Sequence, residues 1–192
     1  MENQINQNIE RFADIVVNHD REEFLATLVG KLAGTLQDFI GIEESKGFLT
    51  LVGAEVGEKM SDDYRTALDV SRLDSGQIAA ALVDLQTRIN GAFEVVDIDQ
   101  RRIILRNGRC PFMEHGARRD SLCQITSSVF GRLTADNNGY AKVVLNRTIA
   151  AGDGHCEVVI FLDDSDPRAI QYGDQGDEYF EDLTKLPEEL AS

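Results

Sequence analysis

The sequence has no run of about 18 apolar residues, so it offers no membrane-spanning helix. Its opening stretch, MENQINQNIERFADIV, is polar and acidic and lacks the basic and apolar regions of a secretory leader. The expected compartment is the cytoplasm. Cysteine is scarce, with three in 192 residues. In a reducing compartment this excludes a disulfide framework and leaves metal ligation, redox sensing or simple burial. Basic residues are in deficit: 19 Lys and Arg stand against 34 Asp and Glu, a net charge of −15. Such a surface repels nucleic acid and anionic membranes. Arg118 and Arg119 are an isolated basic doublet, and no basic helix or helix-turn-helix is evident. No GxGxxG, P-loop, HExxH or GxSxG motif is found, so the common nucleotide, metalloprotease and serine-hydrolase chemistries have no footing.

What is present suits one α+β domain of ordinary size. Ile5, Ile9, Phe12, Ile15 and Val16 fall at helical spacing on a narrow stripe, which predicts an N-terminal helix over residues 5–18 that needs a partner. A homodimer through this arm, residues 1–19, is the expectation. A helix over 20–40 follows, with Asp20 as N-cap and Gly41 as its stop. Another spans about 42–60. Its Gly53 and Gly57 lie four apart on one face, suiting either close helix packing or room for a ligand. With Phe48 and Phe112 they make the candidate ligand-binding set. A helix over 74–90 carries Ile78, Ala81, Leu82, Leu85 and Ile89 on one face, and Asp84 and Arg88 are spaced to pair on it.

The pattern then shifts to alternation. AFEVVDIDQRRIILRN reads as two strands with Asp99 and Gln100 at the turn, and GYAKVVLNRTI and HCEVVIFL as two more. Residues 121–136 form a helix between the pairs. The expected fold is helices first, then a ββαββ antiparallel sheet with helices packed on one side. Residues 163–192 hold ten acidic and two basic residues. They are read as an acidic C-terminal tail, loosely docked, with Tyr172, Tyr179, Phe180 and Leu183 able to pin it.

Cys110 follows a strand and precedes Pro111, Cys123 lies near a helix start, and Cys156 lies early in the last strand. Spacings of 12 and 32 intervening residues give no short metal-binding pair. Two thiols nevertheless bracket one loop, and a hairpin brings the third within reach. A tetrahedral zinc ion or an iron–sulfur cluster would need a fourth ligand, with His115, Glu114 and Asp153 as candidates. His155 points away from Cys156 on a strand and is a poor co-ligand. Buried inert thiols, or a Cys123 or Cys110 nucleophile served by His115, are the alternatives.

Five segments in order carry a resemblance: FLATLVGKLAGTLQDFIGIEESKGFLTLVGAEVGEKMSDDYR, LVDLQTRINGAFEVVDID, NGRCPF, SLCQITSSVFGRLTADNNGYAKVVL and TIAAGDGHCEVVIFL. Together they resemble the methanogen output domain, itself similar to the 4-vinyl-reductase superfamily of small-molecule sensors. The resemblance covers about residues 20–162. It implies a 4-vinyl-reductase-like fold, a sensory or signalling role beside histidine kinases, receivers or transcription factors, and no catalytic residue of its own. It also implies a metal site at Cys110, Cys123 and Cys156, completed by Asp153 or His115 and holding zinc or an iron–sulfur cluster, with heme less favoured. The alternatives are a cysteine-dependent enzyme acting on a small molecule or tetrapyrrole, and a purely structural interaction module.

Overall fold

The computed structural model describes residues 20–110 and 120–181, together with the short stretches 5–7 and 10–11. The predicted N-terminal arm therefore lies largely outside the described residues, as does Leu183.

Helix α1 (Arg21–Ile40) starts where the Asp20 carboxylate accepts the Glu23 N–H at 2.8 Å, and stops at Gly41, whose φ of 90° a side chain disfavours. Helix α2 (Ile42–Leu68) runs on past Met60 and ends at Asp69 in the left-handed region. Helix α3 (Ser75–Arg88) opens with a capping box: Asp74 accepts from the Gln77 backbone and the Gln77 side chain accepts in return. Strands β1 (Phe93–Ile98) and β2 (Arg102–Asn107) form the first hairpin. Its turn is closed by Asp99, which accepts the N–H groups of Arg101 and Arg102. Helix α4 (Asp120–Asn138) leads into the second hairpin, β3 (Tyr140–Arg147) and β4 (Cys156–Phe161). A short helix α5 (Pro167–Gln171) and a strand β5 (Asp177–Phe180) follow.

The strands make one antiparallel sheet in the order β1-β2-β4-β3-β5. Alternation along each strand sorts the side chains onto two faces. One face carries Phe93, Ile103, Leu105, Val143, Val158 and Ile160 and is covered by α3 and α4 through Ile78, Leu82, Phe130 and Leu133. Phe93 meets Phe130 edge-on, with ring centroids 5.4 Å apart. The opposite face carries Val144, Val159 and Phe161 and, among the described residues, is capped by Ala169 and Tyr172 of α5 and its exit. The α+β class and the ββαββ order follow the expectation.

Two features depart from it. The sheet has five strands, because part of the segment read as a loose tail pairs with β3: Tyr140 opposes Phe180 and Val143 opposes Asp177. The anchor is Tyr179, buried in the main core. Its ring fills the space above Gly131, where any Cβ would collide with it. Its hydroxyl lies within hydrogen-bond distance of Ser127 (3.2 Å) and donates to Ser128 (3.3 Å). The second departure is α5, which lies on the far side of the sheet from the other helices. It is held there by Arg168, bonded to both Asp166 and Asp99.

Candidate functional site

Cys156 is the first residue of β4. Its side chain shares a face with Val158 and Ile160 and packs at the margin of the main core. Across the ladder its register partner is Asn107, the last residue of β2. The chain then needs only Gly108 and Arg109 to reach Cys110. That short path is fixed by Asn107, which is buried and whose Oδ1 accepts the N–H groups of Ala92 (3.1 Å) and Arg109 (3.0 Å). The two thiols are thereby brought together.

The surroundings of Cys156 are specific. Burial pushes its thiol above the ordinary range. The Ile149 N–H, donated to Sγ at 3.3 Å, works in the opposite direction, and the neighbouring Cys110 and Asp153 add to the rise. An N–H aimed at sulfur favours a thiolate, the form that binds metal. Asp153 sits in the β3–β4 turn, where its Oδ2 accepts the Thr148 N–H at 2.9 Å. There it acts as a turn-former.

Cys123 is in the first turn of α4 and is half-buried, as are Cys110 and Cys156, and none of the three forms a disulfide. Among the described residues no group of three or more His, Cys, Asp and Glu is placed to hold a metal ion. Cys110 and Asp153 lie near enough to Cys156 to bear on its thiol, but among the described residues neither they nor Cys123 complete a metal-ligand cluster with it. His115, Glu114 and Phe112 lie in the connecting segment 111–119, outside the described residues.

The glycines of α2 take the packing role. Ser45, Leu49, Gly53, Gly57 and Ser61 form a buried ridge with a four-residue step, laid against α4. A Cβ at Gly53 would stand 2.6 Å from the Ser128 Cβ, and one at Gly57 would stand 2.8 Å from the Val129 carbonyl oxygen. The helices are too close to leave space for a ligand there. Phe48 projects from another side of α2 and is exposed.

On the sheet's other face a cavity of about 420 Å³ is lined by Ile104, Val159, Phe161 and Tyr172, with Arg102 and Arg168 at its rim. Both guanidinium groups are already bonded to carboxylates, Arg102 to Asp97 and Arg168 to Asp99 and Asp166. Sequence reasoning missed Asn107, the residue that sets the path to Cys110. The Asn-Gly pair ending a β-rich run was the available signal.

This arrangement, a five-stranded antiparallel sheet backed by helices, defines an α+β domain. The model of methanogen output domain 1 matches residues 28–161, and the chain belongs to that family. No curated protein sequence matches it. Among solved structures it is similar to the phenol-responsive sensory domain of the transcription activator PoxR, crystallised with phenol. The TM-score is 0.58 at 14% identity, over 77% of this chain and 76% of that one. It is also similar to a trafficking protein particle complex subunit 3 from Naegleria fowleri covalently bound to palmitic acid. There the TM-score is 0.52 at 13% identity, over 84% of this chain and 98% of that one. These likenesses are of fold.

Proposed function

We propose that this domain is a cytoplasmic regulatory module that responds to a small ligand or a redox change at the Cys110–Cys156 centre and passes the response to a signalling partner such as a histidine kinase or receiver. The observation that carries the reading is the Cys156 thiol, which accepts the Ile149 N–H beside Cys110. The family's name as an output domain and the likeness to a phenol-responsive sensory fold support the sensory part.

The residues suit a soft cation in chemistry: two adjacent thiols, an N–H donor to one sulfur and a carboxylate nearby. Cys110 and Cys156 would hold zinc or an iron–sulfur cluster, with Cys123 and either Asp153 or His115 completing the set. A bound metal would supply charge neutralisation for the thiolates and tie the Cys110 segment to the β3–β4 hairpin. The competing reading, a thiol enzyme, would place the nucleophile at Cys123 or Cys110 with His115 as its base.

The test is anaerobic purification followed by metal and acid-labile sulfide analysis of the wild type and of Cys110→Ser, Cys123→Ser and Cys156→Ser. The expected result is a stoichiometric metal whose content and thermal midpoint fall together in each variant, because metal binding in such sites contributes folding free energy. Colourless protein with zinc separates one metal from the other, since a cluster or heme absorbs in the visible. Metal-free wild type, or full metal content in all three variants, overturns the metal reading.

A further inference from the structure

The first two helices are arranged against the usual sense of amphipathicity. The inner side of α1 is built from small residues: Ala33 is buried with Leu49 and Leu122, and Gly34 is buried beside it. The large side chains point out. Phe39 is 84% exposed, and Phe24 and Leu32 are each 62% exposed. Leu25, Leu28 and Val29 are exposed with them. On α2, Leu51 is 67% exposed, and Phe48, Val52 and Val56 also face outward.

The three phenylalanines alone leave about 400 Å² uncovered, taking about 200 Å² for a whole aromatic side chain. With the leucines and valines the total is about 1,000 Å². The largest apolar patch on an ordinary monomer is about 300–600 Å², whereas a standard interface takes about 800 Å² from each partner. An α-helix in water with so little packed against it is also marginal by itself.

We infer that these outward faces of α1 and α2 form an interface with a second copy of this chain. Two observations select that occupant. From Phe24 to Ile40 the outward arc of α1, about 160° wide at 100° per residue, contains no charged side chain. A two-fold contact sets each patch against itself, so in a chain of net charge −15 an uncharged α1 arc avoids like-charge repulsion, and on α2 the exposed Glu55 and Lys59 on the outward side carry opposite charges that can be paired across the axis. Within the arc, Leu25, Val29, Leu32, Leu36 and Phe39 follow alternating steps of four and three, the spacing of a seam that packs against its like. A lipid surface is disfavoured, because the other side of α1 carries Glu23, Lys31 and Asp38 rather than a basic row. The inference rests on burial and spacing and stands whether or not the thiols bind metal.

The experiment is sedimentation of the full chain at micromolar concentration, as wild type, as Leu32→Ser/Phe39→Ser and as Ile170→Ser. The first variant changes two outward residues of α1, and the second an equally exposed residue on α5. The wild type is expected at twice the 21.3 kDa chain mass. Ile170→Ser should match it, and the double variant should dissociate at about 100-fold higher concentration, the equivalent of losing two strong contacts of the interface. Circular dichroism checks that the double variant keeps its helices and strands, and its single-residue versions serve if it does not. A monomeric wild type overturns the inference, including one that floats with zwitterionic vesicles or associates only with another protein. So does a dimer that survives the double variant, or one lost on deleting residues 1–19 while insensitive to α1.

Discussion

Adding one methyl group at two positions of the same helix should change stability in opposite directions. Gly47 and Gly57 both lie inside α2, where alanine is intrinsically favoured by about 1 kcal/mol. At Gly47 nothing lies within 4 Å of the added Cβ, so Gly47→Ala should stabilise by about that amount. At Gly57 the Cβ would stand 2.8 Å from the Val129 carbonyl oxygen, 2.9 Å from the Arg132 Cβ and 3.1 Å from the Val129 Cα. Two of those three atoms are α4 backbone and cannot swing aside. Overpacking costs about 1–3 kcal/mol, and a rigid backbone neighbour puts this site at the upper end. After the propensity gain, Gly57→Ala should destabilise by about 1–2 kcal/mol. The two variants then differ by about 2–3 kcal/mol, or several degrees in Tm for a domain of this size. Urea unfolding followed by far-ultraviolet circular dichroism reads it as midpoints moving apart at unchanged slope. Protein concentration is held fixed, since self-association would otherwise enter. A Gly57→Ala protein as stable as Gly47→Ala would refute the close approach of α2 to α4.

Gly131→Ala should dislodge β5, because the new Cβ would fall on the Tyr179 ring; a loss of about 2–3 kcal/mol and faster hydrogen exchange at residues 177–180 are expected, and unchanged exchange there would remove the anchoring role. The Asp99 carboxyl is held down at about 2, chiefly by the Arg168 guanidinium and then by the Arg101 N–H. A depressed acid stabilises the fold above its unfolded pKa of about 3.9 and stops doing so as pH falls through the folded value. Stability should therefore drop between about pH 4 and pH 2, and Arg168→Met should flatten that acid slope; an identical slope in the variant would show that the pair is not linked to folding. In metal-free protein Cys156 should alkylate slowly at neutral pH and accelerate only above the ordinary thiol range, because burial raises its pKa and leaves little thiolate. Alkylation faster than that of an unfolded cysteine at neutral pH would reverse this assignment.

Much of the fold was legible because its helices and strands repeat at different periods. The two hairpins and their order could be read from alternation, and Asp20 and Gly41 mark the ends of α1 by local chemistry. What escaped depends on distant partners. The polar stretch after Met60 breaks the apolar spacing, yet it remains helical. Lys59 and Asp63 pair along it, Arg65 pairs with Asp62, and Tyr64 donates to Asp84 of α3 at 2.6 Å. Strand β5 was hidden by its acidity, since DEYF reads as tail until Tyr179 finds the space above Gly131. Gly53 and Gly57 announced a close approach without naming α4 as the neighbour. The meeting of Cys110 with Cys156 was legible only in outline. It follows from the pairing of Asn107 with Cys156, and that requires β4 to lie between β2 and β3, which local periodicity does not specify.

Helix α2 stands between the two features on which the proposals rest. One side bears on α4, the helix whose first turn holds Cys123, through a glycine ridge that leaves no slack. Another side carries the outward apolar residues Phe48, Leu51, Val52 and Val56. Closely packed helices transmit displacement rather than absorb it, because interiors are dense and compress little. On the proposed reading, a change at the thiol centre that moves the start of α4 must therefore move α2, and with it the face offered to a second copy. Linkage makes the relation reciprocal: if the state of the thiols alters self-association by some factor, self-association alters the affinity of the thiol centre by the same factor. A sensory role on the proposed reading would use such a coupling. Here it would run through the close contact of α2 with α4 at Gly53 and Gly57, and substitutions there act on that contact without touching either end.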